Sequence, residues 1–177
     1  HNNWSMTTDM GGNLLEPGDS PQDNVQFLLF LAAIIKAVDE YQDLLRVSVA
    51  SAANDHRLGA NEAPPAIVSI FLGDELTAVV DSIASGDIYV SKDKVHMDSG
   101  VRTLARFPKD TTDRNRTSPF AFTGNKFEFR MLGSAFSISG PNIILNTIVA
   151  EALRQFADTL ESSEDFNASL MELIRST

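Results

Sequence analysis

Three short stretches of the chain carry side chains suited to chemistry. In Lys126-Phe127-Glu128-Phe129-Arg130, charged and aromatic residues alternate. On a strand successive side chains point to opposite faces, so Lys126, Glu128 and Arg130 share one face and the two phenylalanines the other. If the charged face lines a cleft, a carboxylate between two cations on a rigid strand can bind a metal while its neighbours hold anionic substrate groups. The same alternation also describes a sheet edge whose charged face meets water. The second stretch is Asp113-Arg114-Asn115-Arg116-Thr117-Ser118-Pro119. Two arginines beside hydroxyls suit a phosphate, because guanidinium groups form bidentate, charge-assisted bonds to it. A solvated loop has the same composition. The third, His56-Arg57-Leu58-Gly59-Ala60-Asn61-Glu62-Ala63-Pro64-Pro65, holds an Arg and a Glu in a loop fixed by proline. It fits an active-site flap, and it fits a plain connection between helix and strand. His1 and His96 are singletons with no compositional partner. The chain has no Gly-x-x-x-x-Gly-Lys-Ser/Thr, Gly-x-Gly-x-x-Gly or Gly-x-Ser-x-Gly motif, so a nucleotide would not rest on a phosphate-cradling loop of those types.

The elements between these stretches must position them. Residues 1–24 are polar and rich in Gly, Pro, Asp and Asn, which predicts a loop or short extended piece. From Gln22 to Asn54, apolar residues such as Val25, Leu28, Leu31, Ile35, Val38 and Leu45 recur at helical spacing, predicting one long helix capped by Asp23 or Asn24. Gly59 and the paired prolines predict a non-helical segment from Asn54 to Pro65. Ala66 to Leu72 has the branched residues of a strand, and Asp74 to Ala84 has the pattern of a short helix ending before Gly86. Residues 87–113 are irregular and charged, with one hairpin expected around Ile88 to Val95. Phe120 to Phe122 and Lys126 to Leu132 predict two strands joined by Thr123-Gly124-Asn125. Gly140-Pro141 opens a second long helix running through Leu160, and Ser162 or Ser163 caps a last one from Asp165 to Arg175. Long helices with clustered short strands predict an α+β fold rather than a parallel doubly wound one.

Composition narrows the partners. With 43% hydrophobic and 21% charged residues, the 177-residue chain can bury a core as one domain or a large part of one. A formal charge of −10 argues against nucleic acid, whose phosphates require clustered Lys and Arg. It does not exclude ATP, which a local arginine cluster and a metal can hold inside an acidic shell. The absence of cysteine excludes disulfides, thiolate nucleophiles and Cys-ligated zinc, and fits a cytoplasmic location. No run approaches the roughly 20 apolar residues of a membrane span.

At these same segments the chain resembles a known family. NDHRLGANEAPPAIVSIFLG, DRNRTSPFAFTGNKFEFRMLG and GPNIILNTIVAEALRQFAD are similar, in order and spacing, to the type III glutamine synthetases. The opening His-Asn-Asn-Trp-Ser resembles the end of the Gly-rich stretch where that family places a metal-binding His. The likeness runs essentially from residue 1 to 177. It implies that residues 1–177 form part of the catalytic domain, without the β-grasp N-terminal domain, the upstream catalytic half or the C-terminal extension. Short antiparallel strands flanked by long helices are the expected architecture.

The resemblance also implies a reaction: ATP-dependent ligation of ammonia to L-glutamate through a γ-glutamyl phosphate, with Mg2+ or Mn2+ as cofactor. His1 and Glu128 would be metal ligands. Ser5, Arg116 and Lys126 would contact the nucleotide, with Arg116 gripping the transferred phosphoryl group. Arg57 and Arg130 would hold glutamate and its developing acyl phosphate. Glu62 would close the ammonia site as the flap glutamate and take a proton from ammonium. The partners implied are L-glutamate, ammonium and ATP, with a full-length parent assembled as a homo-oligomer, a dodecamer in the family. Departures from the commoner types are Asn3 in place of a second His, a flap loop one residue shorter, and Ala121 where an arginine is usual. With the other metal site upstream of this segment, the segment alone is expected to be inactive. The alternative is a non-catalytic nucleotide-binding or assembly module that keeps the fold.

Overall fold

The aromatic residues of the charged stretch anchor the sheet. In the computed structural model, described for residues 1–86 and 117–177 together with the backbone pairing of His96–Met97 and Phe107–Pro108, strand β1 spans Asn2–Trp4 and β2 spans Ile70–Phe71. Strands β3 (His96–Met97) and β4 (Phe107–Pro108) form a separate antiparallel pair. Strands β5 (Phe120–Phe122) and β6 (Phe127–Phe129) complete the main sheet, whose order is β1-β6-β5-β2. The β5–β6 register sets Phe120 opposite Phe129, Ala121 opposite Glu128 and Phe122 opposite Phe127. Because side chains alternate, all four phenylalanines fall on one face. They are buried there, with Phe120 stacked on Phe127 at 4.5 Å between ring centres and Phe122 edge-on to Phe127 at 5.3 Å. The expected turn closes the pair: Gly124 adopts φ +95°, and Thr123 N–H donates to the Lys126 carbonyl. Strand β1 pairs antiparallel with β6, and β2 pairs parallel with β5.

Two long helices back the aromatic face. Helix α1 (Val25–Val47), kinked at Tyr41, packs most extensively on α4 (Ser139–Glu161), and α5 (Phe166–Ser176) contacts both. Phe27 of α1 meets Phe122 with 5.9 Å between ring centres, joining helix and sheet in one core. Helix α3 (Asp74–Ser85) ends at Gly86, whose φ of +76° is the left-handed stop expected there. Asn24 caps α1 by accepting from Phe27 N–H.

Several boundaries differ from expectation. The helix expected from Gln22 to Asn54 divides: a 3-10 turn covers Pro21–Asp23, α1 ends at Val47, and a separate helix α2 (Ala52–Arg57) follows. Ser51 starts α2 because its hydroxyl accepts from Asn54 N–H. Asn54 to Arg57 is therefore helical, since a proline constrains its own position and the one before it, not residues a full loop earlier. The strand expected over Ala66–Leu72 shortens to Ile70–Phe71. The last helix is capped by Asp165, whose carboxylate accepts from Ala168 N–H, rather than by Ser162 or Ser163. The hairpin expected around Ile88 to Val95 lies outside the described residues. Among the described residues, no helix is long and apolar enough to cross a membrane.

Candidate active site

The pairing of β1 with β6 assembles the site. Its register sets Asn3 opposite Glu128, so His1, Asn3 and Glu128 share the face turned away from the phenylalanines. There, His1 Nδ1 lies 2.8 Å from Glu128 Oε1, and Arg130 Nε donates to Glu128 Oε2 at 2.8 Å. Residues 127 positions apart in sequence thus meet on one carboxylate. The face is not simply solvated: the Arg130 side chain is 2% exposed and that of Glu128 is 18% exposed. A sheet edge wetted by solvent would leave both open, so burial decides between the two readings of the alternation. The cleft wins.

Arg130 is held from behind. Arg57 Nη2 donates to the Arg130 carbonyl at 3.0 Å, and Arg57 Nη1 donates to the Asn54 side-chain oxygen at 3.0 Å. Buried Asn54 uses its own amide to donate to the carbonyls of Val49 and Met131, at 2.8 and 2.9 Å. Helix α2 is thereby fastened to the chain leaving β6, which fixes the backbone of Arg130. Sequence reasoning passed over Asn54. A buried Asn leaves no compositional trace, although Ser51 three residues earlier is a signal for a helix start.

Glu62 follows in the loop after α2. Gly59 N–H donates to the Pro64 carbonyl, while Ala63 and Pro64 are buried, so the loop is pinned at its base and Glu62 projects outward. Its φ of +56° is left-handed, a conformation that costs a non-glycine residue about 1 kcal/mol and that is held here by these anchors. Among the described residues its carboxylate has no hydrogen bond or ion pair. Ser5 and Lys126 sit at the other end of β6: Ser5 Oγ donates to the Asn13 side-chain oxygen at 2.8 Å, and Lys126 Nζ to the Asn125 side-chain oxygen at 3.4 Å. Arg116 lies outside the described residues. The departures flank the central carboxylate, with exposed Asn3 on one side of Glu128 and fully buried Ala121 on the other.

His1 and Glu128 fit two positions of a metal sphere. Adjacent ligands of a six-coordinate ion bound at roughly 2.1 Å lie about 3 Å apart, close to the 2.8 Å between His1 Nδ1 and Glu128 Oε1. Arg130 occupies the other carboxylate oxygen and so orients the group, the kind of outer contact that ligating carboxylates use. No third His, Asp or Glu joins them among the described residues. A groove of 740 Å³ between α1, α4 and α5, lined by residues such as Ile35, Gln155 and Phe156, contains none of these groups; the chemistry follows the carboxylate, not the volume.

The chain is similar to curated proteins of one family. The chain is 60% identical over 154 residues to the type-3 glutamine synthetase of Dictyostelium discoideum, a match covering 87% of this chain and 21% of that protein. The chain belongs to the type III glutamine synthetase family. It is also 60% identical over 128 residues to a glutamine synthetase of Butyrivibrio fibrisolvens (72% of this chain, 18% of that one). To a glutamine synthetase of Bacteroides fragilis (strain YCH46) it is 48% identical over 164 residues (91% and 22%). No family model matches the chain. The chain spans about a fifth of the length of the curated relatives it matches.

Proposed function

We propose that residues 1–177 form part of the catalytic domain of a cytoplasmic, homo-oligomeric glutamate–ammonia ligase, completed by segments outside this chain. The reaction starts when the γ-carboxylate oxygen of glutamate attacks the γ-phosphorus of ATP, releasing ADP and leaving γ-glutamyl phosphate. Ammonia then attacks the acyl carbon, the C–O bond to phosphate breaks, and glutamine and phosphate leave. Phosphoryl transfer is accelerated chiefly by positioning and by neutralising charge on the transferred group. His1 and Glu128 would hold a Mg2+ or Mn2+ ion, which when bound offsets the negative charge of the nucleotide phosphates. Arg116 grips the moving phosphoryl group, while Ser5 and Lys126 contact the nucleotide. Arg130 binds the α-carboxylate side of glutamate, and Arg57 serves the same substrate and keeps the Arg130 backbone in place.

Glu62 supplies the base. Ammonium is not a nucleophile, and an exposed carboxylate on a pinned loop can attract it and accept a proton at one carboxylate oxygen. A closed loop also keeps water from the acyl phosphate.

The observation that most supports this reading is the half-buried line His1–Glu128–Arg130 in a chain 60% identical to a type-3 glutamine synthetase. The test is a coupled assay of ADP release with glutamate, ammonium and metal. A full-length protein carrying this segment should turn over, its Glu128→Gln variant should lose metal-dependent turnover, and residues 1–177 alone should be nearly silent. Unchanged metal dependence in Glu128→Gln would contradict the assignment.

A further inference from the structure

Strand β1 follows directly on His1 and pairs with β6 through Asn2, Asn3 and Trp4. A two-residue slip of β1 against β6 would keep its faces while moving His1 about 7 Å from Glu128. Two asparagines on α4 resist that slip. Asn2 Nδ2 donates to Asn142 Oδ1 at 2.7 Å, and Trp4 Nε1 donates to Asn146 Oδ1 at 2.9 Å. The spacings match. Residues two apart on a strand are about 6.6 Å apart and residues four apart on a helix about 6 Å apart, so β1 lies along the first turns of α4 with both bonds made at once. Asn2 is 4% exposed and Trp4 is buried, so a shifted register would strand both donors away from water.

We infer that Asn142 and Asn146 are positioning residues: a two-point clamp on α4 that fixes the register of β1 and so delivers His1 to Glu128. Neither asparagine touches the reacting groups; each acts through the strand. The inference rests on the reading of His1 and Glu128 as metal ligands, and it adds the device that brings them together.

Trp4 is the chain's single tryptophan and lies three residues from His1, about 10 Å along the strand, within reach of quenching by a paramagnetic ion. Mn2+ is titrated into the 177-residue chain while Trp4 emission is followed, with circular dichroism and Tm recorded for each variant. Wild type should show saturable quenching, and Glu128→Gln should lose it. Asn142→Leu and Asn146→Leu should each bind Mn2+ about tenfold more weakly. Asn142→Asp, which keeps an acceptor oxygen in the first turn of α4, should restore wild-type affinity. A merely structural role would lower Tm and leave the affinity of the folded protein untouched. If Asn142→Leu does not fold, Asn146→Leu, whose side chain is exposed, decides the matter. Absence of saturable quenching in wild type, or quenching unchanged in Glu128→Gln, would overturn the metal reading and the clamp's purpose with it. Quenching lost in Glu128→Gln but of wild-type affinity in the folded leucine variants would overturn the clamp alone.

Discussion

Two of the arginine–carboxylate groupings among the described residues have nearly the same distances and very different surroundings. On β6, Arg130 and Glu128 meet at 2.8 Å with the arginine 2% exposed; on α4, Arg154 meets Glu151 at 2.7 Å with the arginine 58% exposed. Arg154 also reaches Asp158, completing an i, i+3 and i, i+4 ladder along the helix. The helical cluster is made within one element and needs no other part of the fold. The strand cluster needs β1, β6 and α2 to be correctly placed at once. Contact distance therefore says little about importance here; burial and the number of elements recruited say much more. In water, exposed pairs exchange one good solvation for another and contribute little. Where the charges are buried, a lost partner is not replaced by water.

The largest expected effect follows from that contrast. Glu128→Ala removes the carboxylate from a buried arginine and should destabilise the folded chain by on the order of 3 kcal/mol, read by urea denaturation. A loss no greater than that of a surface ion pair would erase the distinction between the two clusters. Next comes Asn54→Leu, which removes the side-chain donor to the Val49 and Met131 carbonyls and one of the acceptors of Arg57. It should cost about 2 kcal/mol, and in a full-length protein it should raise KM for glutamate more than for ATP.

The polar bolt behind that second prediction was the part of the molecule least legible in the residues. Local pattern showed Phe127 and Phe129 on one strand face, the turn at Gly124, the Gly86 stop and both long helices, because each depends on neighbours a few positions away. The charged face of β6 was equally visible, but whether it met water or a cleft was not: the partner that covers Glu128 lies 127 residues earlier. Helix α2 was missed because the alanines around Ser51 continue the pattern of α1, hiding a new cap inside an apparently unbroken helix. The bond from Arg57 to the Arg130 carbonyl ends on a backbone atom 73 residues away, and no side-chain pattern announces such a partner. The meeting of His1, Glu128, Arg57 and Arg130 came through family resemblance; its mechanics came from the fold.

A third prediction sharpens the comparison by separating function from stability. Glu62 is exposed and engages no partner among the described residues, so Glu62→Ala should leave Tm essentially unchanged. In a full-length protein it should slow amide formation while sparing acyl-phosphate formation, measured as glutamine yield against phosphate release. Equal loss of both steps would assign Glu62 to glutamate binding instead.

The smallest effect belongs to the helical cluster. The hydrogen bond from Arg154, helped by Gln155, holds the Glu151 carboxyl at about 2, below its ordinary value of 4.5. A carboxyl depressed in the folded state contributes above its unfolded pKa and loses that contribution as pH falls toward the folded one. Wild type should therefore have a slightly higher Tm than Arg154→Ala at neutral pH, by no more than an exposed pair contributes. Between about pH 4.5 and 2, the wild type alone should lose the small benefit of the pair. A difference that changes instead between pH 5 and 8 would implicate some other group.

The most direct measurement is anomalous diffraction from crystals of a full-length protein carrying this segment, grown with Mn2+. A peak should lie within bonding distance, roughly 2.2 Å, of both His1 Nδ1 and Glu128 Oε1, with Arg130 still on the second carboxylate oxygen. Manganese bound elsewhere, with the His1–Glu128 hydrogen bond intact, would contradict the account.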